Sequence, residues 1–419
     1  MSALTTKTFP LDWCRRQFPA LGRQVDGQDA VYLDGPAGSQ VPDRVIRAVS
    51  RSMSETNANH GGRFITSREN DAMLESAHEA VADLLGTASP NATIFGANMT
   101  TLTLAFSRAL ARTWRAGDEV IVTRLDHDAN VSPWVLAARD AGATVRWIGI
   151  HPQDCTLDLD QLRSALSPRT RLVAVGCASN AVGTINPVGE IVRWAHDAGA
   201  QVFLDAVHYA PHALLDVERW DCDYLACSAY KFFGPHVGIL WGRAELLEKL
   251  PAYKVRPAAD KLPDKWMTGT QNHEGIAGVL AALEYLADLG RQLAPDALDR
   301  RSAIAAAMGG IGSYEQRLCR ELIVGLAGLP DVRIWGISDP ARSPERVPTV
   351  SITHRKLSPA ELADYLASRG IFAWHGNFYA LELTETLGLE PAGLVRLGLL
   401  HYNTSSEVER LLAVLKQLE

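Results

Sequence analysis

An α/β architecture is what the sequence predicts: a mostly parallel sheet covered by helices, with a smaller α+β unit towards the C-terminus. Three observations predict it. Short runs rich in Val, Ile and Leu, apolar along their whole length, recur through the centre of the chain. That is the pattern of strands buried on both faces of a parallel sheet. Amphipathic stretches ending in Gly alternate with these runs, as crossover helices do. Past about residue 280 the alternation gives way to mixed short elements around a Pro- and Arg-bearing stretch, residues 339–348.

Strands are predicted at Glu119–Thr123, Thr144–Ile148, 172–176, Gln201–Asp205 and Tyr224–Ser228. Helices are predicted over 131–141 and 190–198, stopped by Gly142 and Gly199, residues that accept the left-handed cap conformation. An apolar helical pattern over 274–289 reads as the bridge out of the large unit. Then follow a strand at 349–353, a helix at 359–368, strands near 370–374 and 394–400, and a last helix over 406–418. The chain thus divides into an N-terminal segment (1–28) packing with the small unit, a large cofactor-binding domain (29–280) and a small α+β domain (281–419).

The 419 residues, 47% hydrophobic and 21% charged, suffice for a substantial core in two units. A net charge of -7 gives no basic footprint, so neither nucleic acid nor an anionic membrane is an expected partner. The N-terminus lacks the basic-then-apolar order of a secretory signal, and no apolar run approaches the roughly 20 residues that span a bilayer. Six cysteines are scattered with no CxxC and no Cys/His cluster, so neither a metal site nor a disulfide framework is expected, and a reducing cytoplasm is. No internal repeat is present.

In sheets of this kind ligands sit beyond the carboxyl ends of the strands. There the predicted strand 201–205 ends in Asp205, with His208 three residues on, and the strand 224–228 runs through Ser228 to Lys231 and a Gly234-Pro235 turn. Singly, Asp205 reads as a turn acid and Lys231 as a solvated loop lysine. Together, on neighbouring strands, they match what pyridoxal phosphate (PLP) requires: an amine to hold the aldehyde as an imine, and a carboxylate facing the pyridine nitrogen. A third segment, residues 95–101 with Asn98, Met99 and Thr100, opens a helical run, and free N–H groups at a helix start make a phosphate seat.

These segments resemble the cysteine desulfurase and isopenicillin N epimerase group of the class V aminotransferases, PLP fold type I, over nearly the whole chain. The resemblance implies a seven-stranded type of large-domain sheet. It carries several roles onto matching positions. His127, in residues 125–134, would stack on the cofactor ring; Asn180, in 179–187, would lie by the phenolic oxygen and the substrate. Asn98, Met99, Thr100 and Ser228 would seat the phosphate, Asp205 would pair with the ring nitrogen, and His208 would sit near the phenolic oxygen. Ala37 and Gly38, in the loop 32–38, would lie beside the substrate. Arg396, in 394–404, would bind its carboxylate. Thr270, in 269–272, would reach the phosphate of a partner subunit, which implies a homodimer with a shared site.

The chain also departs from the desulfurase pattern. Cysteine desulfurases carry a nucleophilic cysteine on a C-terminal loop; the matching stretch here, 370–381, has none, and Tyr379 falls near its place. A phenol does not accept sulfane sulfur, which is thiolate chemistry. The family's histidine before the lysine is Tyr230, its loop arginine is Trp374 followed by His375, and its phosphate-turn glycine is Asn98. The leading expectation is therefore a PLP enzyme acting on an amino acid or conjugate through a Lys231 aldimine, of the C–S lyase or β-elimination type, with Lys231 as base and Tyr379, Tyr230 or His375 protonating the leaving group. The alternatives are transamination, racemisation or epimerisation, and a non-catalytic PLP-fold protein.

Overall fold

The structure, a computed structural model, describes residues 8–418; the first seven residues of the expected N-terminal segment and Glu419 lie outside them. The large sheet has seven strands: β1 (Thr93–Gly96), β2 (Glu119–Thr123), β3 (Thr144–Ile148), β4 (Thr170–Gly176), β5 (Gln201–Asp205), β6 (Tyr224–Ser228) and β7 (Gly238–Gly242). Their order is β1-β7-β6-β5-β4-β2-β3. The pairs β5–β6, β5–β4, β2–β4 and β2–β3 are parallel; β7 runs antiparallel to both β6 and β1, so it alone opposes the rest. The strands β2, β6 and β7 are buried at every position, which is why they read as unbroken apolar runs rather than alternating ones. The helices expected to stop at Gly142 and Gly199 do so, with φ of +70° and +80° at these glycines.

A second sheet of four antiparallel strands is built from β8 (Val332–Trp335), β9 (Thr349–His354), β10 (Trp374–Gly376) and β11 (Leu394–Gly398), in the order β8-β9-β11-β10. Helices Pro359–Ala367 and Ser405–Lys416 follow, both opened by capping boxes. The start of the described chain touches both units. Phe9 stacks on Tyr314 with ring centroids 4.5 Å apart, Phe18 packs in the larger core, and Val31–Tyr32 pairs in parallel with Ile371–Phe372.

The hydrophobic interior forms two clusters. Helix α1 (Met99–Ala111) and helix α2 (His273–Leu293) belong to the larger. Position 280 lies inside α2, whose large buried side chains, among them Ile276, Val279, Leu283, Leu286 and Leu289, belong to that larger cluster. Helix α3 (Arg300–Ala327) spans both clusters: Ala303, Ile304, Ala307 and Ile311 lie in the larger, and Leu318, Leu322, Ile323 and Leu326 in the smaller. The sequence obscures α3 because Gly309, Gly310, Gly312 and Gly325 interrupt it and its buried positions belong to two different cores.

Candidate active site

Four parallel-strand ends and the start of α1 converge on one cavity of about 600 Å³ of empty space, open to solvent on one side. Asn98, Met99 and Thr100 line one wall; His127, Asn180 and His208 line others; Asp205, Ser228 and Lys231 close the floor. These nine residues are the ones the sequence marks, brought together from five separate segments.

Asp205 and Lys231 are each about nine-tenths buried. Burial raises the Asp205 carboxyl to about 6, against the Val207 N–H it accepts at 2.8 Å and the nearby Lys231 charge. Burial likewise lowers the Lys231 amine to about 7; Arg396 adds to the fall and Asp205 opposes it. Lys231 Nζ donates to the carbonyls of Pro36 and Ala37, the latter at 3.2 Å, so the loop 32–38 does reach the lysine. Gly38 faces the Tyr230 ring, where a Cβ would come within 3.3 Å. The Lys231 ammonium also lies 4.8 Å from the centre of that ring.

His127 is pushed down to about 4, by burial first and then by Lys231 and Arg396. Its Nδ1 accepts the Ala129 N–H at 3.0 Å, which puts the hydrogen of the neutral ring on Nε2. The Tyr379 ring stacks on it at 5.4 Å. Tyr379 itself is 72% exposed, at the mouth of the cavity. Phe378 and Tyr379 both hold left-handed backbones (φ +56° and +59°), which non-glycine residues adopt only under tertiary constraint. The constraint is visible: Asn180 Nδ2 donates to the Phe378 carbonyl at 2.8 Å, and the Asp128 N–H to that of Tyr379 at 2.7 Å.

Arg396, on β11, is buried behind Asn180 rather than on the cavity wall. Its Nη1 donates to the Asn180 carbonyl at 2.9 Å and its guanidinium lies 4.1 Å from the centre of the Phe378 ring. Burial lowers it to about 9, against the opposing influence of Tyr230 and Asp34. His375 is exposed on β10, opposite Val395. Thr270 lies away from the cavity, in a separate groove with Tyr253 and Val255.

Two groups escaped the sequence reading. Asp126 lines the cavity fully buried; its Oδ1 accepts the Gly176 N–H at 2.7 Å, and burial together with Asp205 raises it to about 8. Asp34, in the loop 32–38, has a buried Oδ1 without a partner and is raised to about 6 by burial. The only signals were Asp126 standing directly before His127 and Asp34 lying within the quoted loop.

The cavity fits PLP. Two of its buried polar atoms, Asn180 Oδ1 and His208 Nδ1, have no partner within the protein. The start of α1 is shaped as a cradle: Asn98 caps it by accepting the Thr101 N–H at 2.9 Å, and Gly238 leaves room behind, since a Cβ there would come within 2.3 Å of the Asn98 backbone. The Met99 N–H is engaged by Ser228 Oγ at 3.0 Å, so on this wall Ser228 braces the turn while Thr100 stays exposed.

Fold and site together define a PLP-dependent α/β enzyme. The sequence model of the aminotransferase class V family matches residues 31–411, and the chain belongs to that family. It is similar to a cysteine desulfurase of Salmonella gallinarum, 32% identical over 98% of both chains. Among solved structures it is similar to the apo cysteine desulfurase of Thermococcus onnurineus, with a TM-score of 0.85 and 25% identity over 99% of both chains. The fold is also that of C-DES, solved as a lysine-to-alanine mutant with glycine covalently linked to its PLP, with a TM-score of 0.78 and 20% identity over 96% of this chain and 98% of that one. The enzyme is therefore cysteine desulfurase-like, and PLP, the cofactor of that family, is its cofactor. No helix among the described residues is long and apolar enough to cross a membrane.

Proposed function

We propose that the enzyme removes the Cα proton of an amino acid and expels a substituent from Cβ, an elimination of the C–S lyase type. The observation that carries this reading is the absence of a thiol at the chemistry. All six cysteines are buried, none lines the cavity, and the side chain over its mouth is the phenol of Tyr379. Burial raises the Cys14, Cys222 and Cys227 thiols far from the thiolate form.

The bound cofactor supplies an electron sink that acidifies the Cα–H of the amino group it holds. Lys231 carries the cofactor and, once released, takes the Cα proton on Nζ; an amine near 7 is substantially neutral at neutral pH and is matched to that task. Asp205 holds a proton at the ring nitrogen, His127 covers the ring, and Asn98, Thr100 and the Ser228-braced turn seat the phosphate. Arg396, a buried cation with Asp34 as its acidic neighbour, takes the substrate carboxylate with Asn180 beside it. The Tyr379 hydroxyl delivers a proton to the leaving group, and, with one water consumed in the hydrolysis that follows, the products are a keto acid, ammonia and the protonated leaving group.

Two copies share each site in this reading, because Thr270 faces away from its own cavity and the surrounding groove exposes Tyr253 and Val255. The free thiols suit a reducing cytoplasm. The test is to incubate purified holoenzyme with L-cysteine, S-alkyl-L-cysteines, L-cystine and β-chloroalanine. Equimolar pyruvate and ammonia are expected from at least one. A keto acid formed without ammonia would instead mark transamination, and no product from any member of the panel would sink the elimination.

A further inference from the structure

We propose that Thr349 is a positioning residue for the cofactor: its hydroxyl fixes the His208 imidazole in the tautomer that presents Nδ1–H to the cavity. The inference rests on the reading of the cavity as the PLP site.

His208 sits in the loop after β5, buried, and lines the cavity. Its Nε2 lies 2.9 Å from Thr349 Oγ1, on the first residue of β9 in the other sheet. Its Nδ1 is buried and finds no partner in the protein. Thr349 is fully buried, and His208 Nε2 is the one partner of its hydroxyl among the described residues.

Hydrogen accounting then settles the tautomer. The hydroxyl carries a proton that needs an acceptor, because a buried donor left unpaired is costly. If Nε2 bore the ring hydrogen, two donors would face each other and the Thr349 proton would go nowhere. The hydroxyl therefore donates to the Nε2 lone pair, and the neutral ring bears its hydrogen on Nδ1. The ring is neutral because burial pushes its pKa well below the ordinary value, helped by the positive charges of Lys231 and Arg396 nearby. Glu315, the carboxylate beside His212, is engaged by His212 Nδ1 at 2.7 Å.

The cavity wall thus offers one fixed N–H donor, suited to an anionic oxygen on the cofactor ring. Its direction depends on β9. That strand is clamped to the Asn180 loop, with Ser351 Oγ donating to the Ala181 carbonyl at 2.5 Å and Arg346 bridging the carbonyls of Val182 and Thr349. The second sheet therefore contributes to cofactor electronics without touching the cofactor.

The test begins with side-chain proton–nitrogen correlation spectra of ¹⁵N-histidine holoenzyme, in which His208→Gln identifies the His208 signals. Hydrogen on Nδ1 is expected; hydrogen on Nε2 overturns the proposal. Thr349→Val keeps the shape and removes the donor. The visible band of its holoenzyme should titrate with a midpoint displaced by about one pH unit, and Thr349→Ser should restore it. An unchanged titration in Thr349→Val also overturns the proposal. If the wild-type protein develops no visible band with PLP, the cavity reading itself fails; a normal band with an Nε2–H tautomer removes only the role of Thr349.

Discussion

A lysine amine in water keeps its proton to about 10.5, but Lys231, buried and beside Arg396, gives it up near 7. Only the neutral amine attacks an aldehyde, so the neutral fraction falls tenfold per unit below that value. Capture of PLP by the apoenzyme, followed by the growth of its visible band, should accelerate with pH up to about 7 and level off by about 8. A rate still climbing between pH 9 and 10 would show an ordinary lysine and contradict the burial argument. Tyr379 makes a second prediction at this scale. Tyr379→Phe keeps the ring on His127 and removes the proton donor, so kcat for β-elimination should fall by about 10²-fold while PLP affinity holds. An unchanged kcat would move the acid to another residue. Asp205, Lys231 and His127 were legible in the sequence because each sits in a segment with a fixed order of partners. Asp126 and Asp34 were not: a lone carboxyl shows nothing of its burial until the chain that covers it is placed.

At the scale of elements, five of the seven strands in the large sheet were read from apolar runs in the sequence, and four of those five, all but β3, end at the cavity. The two it passed over, β1 and β7, are short runs bordered by Gly, and brief apolar segments carry no periodicity that separates strand from buried helix. Yet β7 shapes the cofactor seat. It is the one strand of reversed direction, and it brings Gly238 against the backbone of Asn98 at the start of α1. A methyl group there would collide with main chain, which has no rotamer to yield, so the turn itself must move. Gly238→Ala should weaken PLP binding by at least about tenfold, the loss expected for a misplaced ligand shell, with the far-UV circular dichroism retained. Equilibrium dialysis of the variant measures this. Wild-type affinity would mean that the α1 turn is not the phosphate seat.

Over the whole molecule, two cores and two sheets invite the expectation of two separate melting transitions, since chains with more than one unit often depart from two-state behaviour. The connections argue otherwise. Helix α3 has one half in each core, so neither core can lose its face of α3 without fraying the other. The units are also tied at the site itself, through Arg396 to Asn180, His208 to Thr349 and Ser351 to Ala181, all buried bonds that would be left unpaired if one side melted first. Leu322 tests this. It is fully buried in the smaller core, and Leu322→Ala should cost about 3 kcal/mol through lost burial and the cavity left behind. If the cores are one cooperative unit, calorimetry of the variant should show a single transition at lower temperature, and the visible cofactor signal, which reports on the larger core, should be lost at that same temperature. An early transition that leaves the cofactor bound would show that the smaller core melts alone and that α3 does not couple the two.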